Sequence, residues 1–255
     1  MPFSHSPEVR AAAVRLVADG MLPRAAAGQV GVDPSTVYAW LHQDAPGLVR
    51  SSVLRCWRCH PDLPFDSAAY VHLLGLYLGD GWIARLKGTT FLSVACDDTW
   101  PGLADECEQV FLRVLATSVC RVRRKGCHDV KAYSQHWPCL FPQHGLGKKH
   151  ERPIVLEPWQ ERLVAEHPGR LLRGLFMSDG WRGHNVAVHR DPDGFVTRYR
   201  YTRYEFTNKS EDIRGLCTDA LDLLGIAWRP NGAYRVSVNT RAPVAALDEH
   251  VGPKW

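Results

Sequence analysis

Apolar and polar positions along this chain change period several times, and each change marks an element. Between residues 7 and 43, apolar residues recur at helical spacing in three short blocks. Pro7 opens the first at a helix N-terminus with Ser6 as its cap, and the stripe Val9, Ala13, Leu16, Val17 stops at Gly20. A second, alanine-rich block over 22–30 ends at Gly31. Asp33 and Pro34 start a third, whose apolar face is Val37, Trp40 and Leu41. Residues 44–67 hold Pro46, Pro61 and Pro64 with little periodicity and read as a linker.

From residue 68 onward the pattern predicts helix, two strands, helix, two strands, helix, and then repeats. In the first copy, helices are expected over 68–79 and 103–116, the latter following Asp97 or Asp98. Strands over 82–86 and 90–96 flank a turn at Lys87 and Gly88, and 119–124 and 129–134 flank one at Lys125 and Gly126. In the second copy, helices are expected over 170–178, 212–224 after Ser210, and 242–248 after Thr240. Strands fall over 181–189, 199–207, 227–229 and 234–238, the last two around Asn231 and Gly232. The fold class read from this is α+β, as tandem αββαββα units at 68–167 and 168–255 with pseudo-two-fold symmetry.

The repeat also carries the chemistry. Leu73-Leu74-Gly75-Leu76-Tyr77-Leu78-Gly79-Asp80-Gly81-Trp82 returns as Leu172-Arg173-Gly174-Leu175-Phe176-Met177-Ser178-Asp179-Gly180-Trp181, with the aspartates separated by 179 − 80 = 99 residues. Gly75 and Gly79, and likewise Gly174 and Ser178, lie one helical turn apart and let two helix backbones approach closely. Such a pair would end at one point, bringing Asp80 and Asp179 together. Gly81 and Gly180 suit a left-handed helix terminus. A single apolar helix ending in Asp-Gly is an ordinary C-cap, but two copies in matching surroundings point to paired carboxylates. Two such groups repel unless a cation sits between them, and Mg²⁺ favours one or two carboxylates with waters and phosphate oxygens. The hairpins repeat independently, at a constant offset of 232 − 126 = 106.

These phrases resemble the LAGLIDADG motif of homing endonucleases, over about residues 68–250. The resemblance implies two motif helices on a pseudo-two-fold axis and two four-stranded sheets forming a saddle in the DNA major groove. It implies a monomer with two motifs that cuts an asymmetric double-stranded site with Mg²⁺, and it assigns the metal to Asp80 and Asp179. Leu78 and Met177 stand where the family has an earlier acid, and Arg173 stands where a small or apolar residue is usual, which is expected to loosen the second helix. The family often adds a basic residue near the metal; Lys131, Gln135 and Arg241 are the candidates. The same scaffold also occurs in bacterial transcription regulators, so a non-cleaving DNA-binding regulator is the alternative.

Three further features bear on DNA. Arg121 and Arg123 alternate on one strand, and Arg198 and Arg200 on another interleaved with tyrosines, which predicts basic sheet faces for phosphates and guanine edges. Residues 7–42 resemble the helix-turn-helix of transposases and recombinases, with Pro34, Ser35, Thr36, Tyr38 and Ala39 expected to face the groove. Residues 1–43 are read as that domain. The Cys56-x-x-Cys59 spacing in the linker is half a zinc site. Cys127, Cys139, His144 and His150 could complete it, or the cysteines could be reduced linker thiols.

Composition changes the picture little. With 45% hydrophobic and 23% charged residues and a net charge of +4, the 255-residue chain is an ordinary globular protein able to meet nucleic acid. No apolar run is long enough to span a membrane and residues 1–10 lack a signal-peptide core, so a cytoplasmic location without membrane association is expected. No P-loop, dinucleotide fingerprint or nucleophilic triad is discernible.

Overall fold

The computed structural model describes residues 5–43, 56–86, 88–115 and 118–254. Residues 44–55 of the expected 44–67 linker, Lys87 of the first hairpin turn and Ala116 of the expected 103–116 helix lie outside the described residues. The chain divides into two compact units, Met1–Leu54 and Arg55–Trp255.

Three helices make the first unit: α1 (Pro7–Ala18), α2 (Pro23–Val30) and α3 (Pro34–Gln43). Each begins with a proline, whose missing N–H costs nothing in the first turn. Ser6 Oγ accepts from the Val9 N–H at 3.4 Å and Asp33 Oδ1 from the Ser35 N–H at 2.8 Å, so both expected caps form. Gly31, at φ +71°, ends α2. A small core of Ala13, Ala27, Val37 and Trp40 holds the helices, flanked by Val9, Val17, Val30, Val32 and Leu41.

The second unit runs α4 (Ser67–Asp80), β1 (Gly81–Leu86), β2 (Thr89–Asp97), α5 (Pro101–Val114), β3 (Val119–Arg124) and β4 (Cys127–Tyr133). Then follow α6 (Trp137–Leu140), a 3-10 turn at Lys149–Glu151 and α7 (Pro158–Glu166). The second copy is α8 (Pro168–Asp179), β5 (Gly180–Arg190), β6 (Val196–Thr207), α9 (Glu211–Leu223), β7 (Arg229–Pro230), β8 (Arg235–Val238) and α10 (Arg241–Val251). Each copy forms a four-stranded antiparallel sheet of the same order, β1-β2-β4-β3 and β5-β6-β8-β7. The α+β tandem repeat is therefore the architecture. Residues 56–66 pack on its core: Cys56 is buried, and the Trp57 ring lies 4.4 Å from Phe65 and 5.2 Å from Trp159 between centroids.

The two motif helices form the centre. From Ala69 to Leu78, α4 is buried on every side, because α8, α5, α7 and the first sheet surround it. A Cβ built on Gly75 would lie 2.5 Å from Leu171 O and 2.9 Å from Gly174 Cα, and one on Gly174 would strike His72 O. At this crossing backbone packs on backbone, at a distance only glycine permits.

Several expectations are corrected. Gly81 and Gly180 are extended, at φ −88° and −94°, not left-handed. They are glycines because a Cβ would meet Tyr77 Cα or Phe176 Cα at 2.5 Å as the chain doubles back from helix into strand. Arg173 does not loosen α8. Its guanidinium bonds the Glu106 carboxylate on α5 and the Val251 carbonyl that ends α10, so a buried charge becomes a clamp. Thr240 occupies the N-cap of α10 but makes no side-chain cap bond. Strand β7 is shorter and later than expected, as Trp228 Nε1 donates to Asp222 Oδ1 at 2.8 Å and ties that segment to α9.

Gly75→Ala is expected to lower stability by about 1–3 kcal/mol, read as a lower urea midpoint at unchanged slope. Gly215, inside α9 with nothing within 4 Å of a built Cβ, should gain about 0.5–1 kcal/mol when changed to Ala.

Candidate functional site

Close packing at Gly75 and Gly174 brings the ends of α4 and α8 together, and with them the two aspartates. A Cβ built on Gly79 would overlap Ser178 and lie 3.5 Å from Asp179 Oδ2. Asp179 Oδ2 accepts from Asn208 Nδ2 at 2.7 Å. Asp80 is pushed up to about 6, first by burial of its carboxyl and then by the facing Asp179 charge; Asp97 adds to this, while Lys149 and Lys254 oppose it. The residue reaches solvent at its rim, yet protein occupies most of the space around the carboxyl. Burial also raises Asp179, against its Asn208 bond and the same two lysines.

Those lysines are the functional groups that sequence reasoning missed. Lys149 Nζ donates to the carbonyls of Tyr77, Leu78 and Gly79 at 2.5, 2.9 and 2.5 Å, closing the C-terminus of α4. Lys254 Nζ donates to Gly180 O at 2.9 Å and Ser178 O at 3.5 Å, doing the same for α8. A cation there meets free carbonyls and the negative end of the helix dipole. Burial lowers Lys149 to about 8, with Asp179 and Asp80 holding it from falling further, and Lys254 is lowered for the same reasons. The lysines stand 254 − 149 = 105 residues apart, within one position of the hairpin offset. That offset, carried past the last strand of each copy, was the signal that could have found them.

The candidates named from sequence make other contacts. Lys131 Nζ sits 3.2 Å from Asp129 Oδ2 on the first sheet, over the rings of Trp82 and Phe91. Gln135 bonds Thr90 and Gly88 O, bracing the β1–β2 turn. Arg241 is exposed at the start of α10.

Strand alternation separates the arginines from the open sheet faces. Arg121 and Arg123 share a face with the core residue Val119, on the helix side, where Arg121 is neutralised by Asp105 and Glu108 of α5. The open face of this sheet instead presents Trp82, Phe91, Val122, Arg124, Lys131 and Tyr133. Arg198 and Arg200 share a face with buried Tyr204 and Phe206, whereas Tyr199, Tyr201, Arg203 and Trp181 lie on the opposite one. β5 pairs with β6 from Gly180↔Phe206 to Arg190↔Val196, but β8 joins only at Tyr204–Thr207. The rest is a two-stranded ribbon bearing Arg190, Arg198 and Arg200 and the exposed Val186, Val188, Phe195 and Tyr199.

On α3, Ser35 is exposed and Thr36 half-buried, but Tyr38 is buried, which corrects its expected place in a groove. It adjoins Val37 and lies two residues before Trp40, so the helical turn sends it to the flank of the core. Cys56 and Cys59 meet Cys139, as sequence allowed, and His136, which it did not suggest. Cys127 starts β4, His150 lies in the 3-10 turn and His144 in the loop before it, all outside this group.

A divalent cation fits the paired carboxylates. Burial raises both, the Asp179 charge adds to the rise of Asp80, and the lysines place their hydrogen bonds on helix carbonyls rather than on the carboxylates. The acids thus remain able to bind metal, within a site whose cations suit a phosphate.

Comparison with known proteins gives partial matches. Residues 4–49 match the family model of a homeodomain-like domain. No curated protein matches the chain. Among solved structures, it is similar at 15% identity to the N-terminal LAGLIDADG domain of WhiA, over 75% of this chain and 87% of that one, with a TM-score of 0.46. It is similar at 14% identity to the homing endonuclease I-WcaI bound to its DNA recognition sequence, over 84% and 93%, with a TM-score of 0.48. Another is I-DmoI in complex with DNA and Ca, 14% identical over 74% and 94%, with a TM-score of 0.43.

Because Asp80 rises from 3.8 to about 6 on folding, the metal-free fold is relatively most stable below pH 4 on this account and loses that advantage as pH climbs through about 6. Metal-free Asp80→Asn should therefore melt higher than wild type at pH 8, with the gap closing towards pH 4. A thermal melt series with chelator present measures it.

Proposed function

We propose that this chain binds double-stranded DNA at a specific sequence and hydrolyses its phosphodiester bonds with a divalent cation, Mg²⁺ being the expected one. The observation that carries the reading is the convergence of Asp80 and Asp179 at the end of a glycine-packed helix pair, with Lys149 and Lys254 closing both helix termini beside them. Asp80 and Asp179 would hold the cation, whose chemistry is to lower the pKa of water and stabilise the leaving oxygen.

The chain's own residues do the rest. Asn208 orients Asp179 through its 2.7 Å bond, and the paired acids sit at the rim where a backbone phosphate can reach them. Lys149 and Lys254 keep local charge balanced when both acids are ionised and add positive field for the phosphate. The β5–β6 ribbon supports groove contact, since a major groove admits a two-stranded ribbon and Arg190, Arg198 and Arg200 lie along this one. The homeodomain-like segment at 4–49 supports a second DNA contact through α3, with Ser35 and Thr36 at its N-terminal turn.

Selection of the purified chain against a randomised DNA pool, first in Mg²⁺ and then in Ca²⁺, tests the reading. Binding in both and cutting in Mg²⁺ are expected, with Asp80→Asn and Asp179→Asn each losing about 10²-fold or more in cutting while keeping affinity. Binding that never leads to cutting, and that Asp80→Asn leaves unchanged, would leave a DNA-binding regulator and sink the nuclease. Replacing Arg198 and Arg200 with Ala should weaken binding and flatten its log–log salt slope by about 2, one phosphate for each arginine.

A further inference from the structure

Two loops far apart in sequence meet beside the N-terminal end of α4. In the first, Cys56 and Cys59 bracket a tight turn in which the Cys56 carbonyl accepts from the N–H groups of both Cys59 and His60 at 3.0 Å. The second is the start of α6, with His136 at its N-cap and Cys139 one turn on. Ser134 Oγ accepts from the His136 N–H at 3.1 Å, and the Cys139 N–H donates to His136 O at 3.0 Å, so this loop is held by its own bonds.

Their side chains point at one centre. Cys59 Sγ lies 3.6 Å from Cys56 Sγ, 3.8 Å from Cys139 Sγ and 3.5 Å from His136 Nδ1, and Cys139 Sγ lies 3.9 Å from that nitrogen. All four ligand atoms fall within 4.8 Å of one another. A tetrahedral zinc with Zn–S of about 2.3 Å and Zn–N of about 2.0–2.1 Å spaces its sulfurs about 3.8 Å apart and sulfur from nitrogen about 3.6 Å. These four edges agree within a few tenths of an ångström, and the other two do not exceed 4.8 Å. They are far too long for a disulfide, whose sulfurs stand about 2.05 Å apart. Three thiols and an imidazole at these distances form a soft donor set that selects zinc over the hard cation fitting Asp80 and Asp179.

We propose that Cys56, Cys59, His136 and Cys139 form a structural zinc site that fastens residues 56–66 to the first repeat. Four protein ligands leave no open position, so the site holds rather than catalyses. His136 binds through Nδ1, which places its proton on Nε2. The metal crosses a gap of 136 − 59 = 77 to 139 − 56 = 83 residues in sequence, where cross-linking restricts the unfolded chain strongly. The turn it fixes carries Trp57, packed on Phe65 and Trp159, and Arg58, whose guanidinium stands 4.8 Å from the Trp159 ring centroid. Those contacts seat α7 against α4, and the same inserted segment supplies Lys149.

The test is metal analysis of the full chain after dialysis against EDTA, independent of any DNA activity. One zinc per chain is expected, retained in the Asp80→Asn/Asp179→Asn double variant and in Cys127→Ser, and reduced at least tenfold in Cys59→Ser and His136→Ala. Cobalt substitution of the wild type should give the thiolate charge-transfer and visible bands of a tetrahedral sulfur site. These wild-type readings hold even where a ligand variant fails to fold. Zinc well below one per chain with no cobalt–thiolate spectrum, full zinc in folded Cys59→Ser, or a Cys56–Cys59 disulfide in the mass spectrum would overturn the proposal.

Discussion

Contact between the α4 and α8 backbones at Gly75 and Gly174 is the constraint on which the rest depends. Each helix runs directly into the first strand of its own sheet, so the distance between helices sets the distance between sheets. It also sets the separation of Asp80 and Asp179, the last residues of the two helices. A side chain at either glycine would meet backbone, which cannot rotate away as a flexible side chain can. Fold and site thus share one requirement.

Bringing two helix C-termini together concentrates negative charge: two carboxylates, two dipole ends and several free carbonyls. The chain answers with one lysine for each terminus, and both ammonium groups bind carbonyls. The carboxylates therefore keep open coordination while the local field is reduced. A cation sharing the two acids would relieve what the lysines leave, as the upward shifts of both aspartates imply.

The two repeats are not equal. Between them, residues 135–167 carry α6, the 3-10 turn and α7, where the second copy has α10 after β8. This insertion packs Phe141 and Trp159 on Tyr70, and Tyr70 accepts from Gln160 Nε2 at 2.7 Å while donating to Leu140 O at 2.6 Å. It gives the first copy a thicker core. The second copy extends outward instead, through the β5–β6 ribbon. One half is elaborated for rigidity and the other for reach.

The sequence by itself determined what is local or periodic. The helix caps at Ser6, Asp33 and Ser210, the hairpin turns, the doubled αββαββα order and the pairing of Asp80 with Asp179 all follow from spacing within a few residues or from a repeated phrase. Only the tertiary structure decided which groups meet across long intervals. It moved Arg121 to the helix side, turned Arg173 into a clamp and chose His136 and Cys139 as companions of Cys56 and Cys59. It also chose Lys149 and Lys254, rather than Lys131 or Arg241, to serve the helix ends. The physical reason is common to these cases: a charge or ligand finds its partner through packing that follows no sequence period. Even the glycines after the aspartates show the division, for their need was legible and its cause, a neighbouring Cα rather than a left-handed φ, was not.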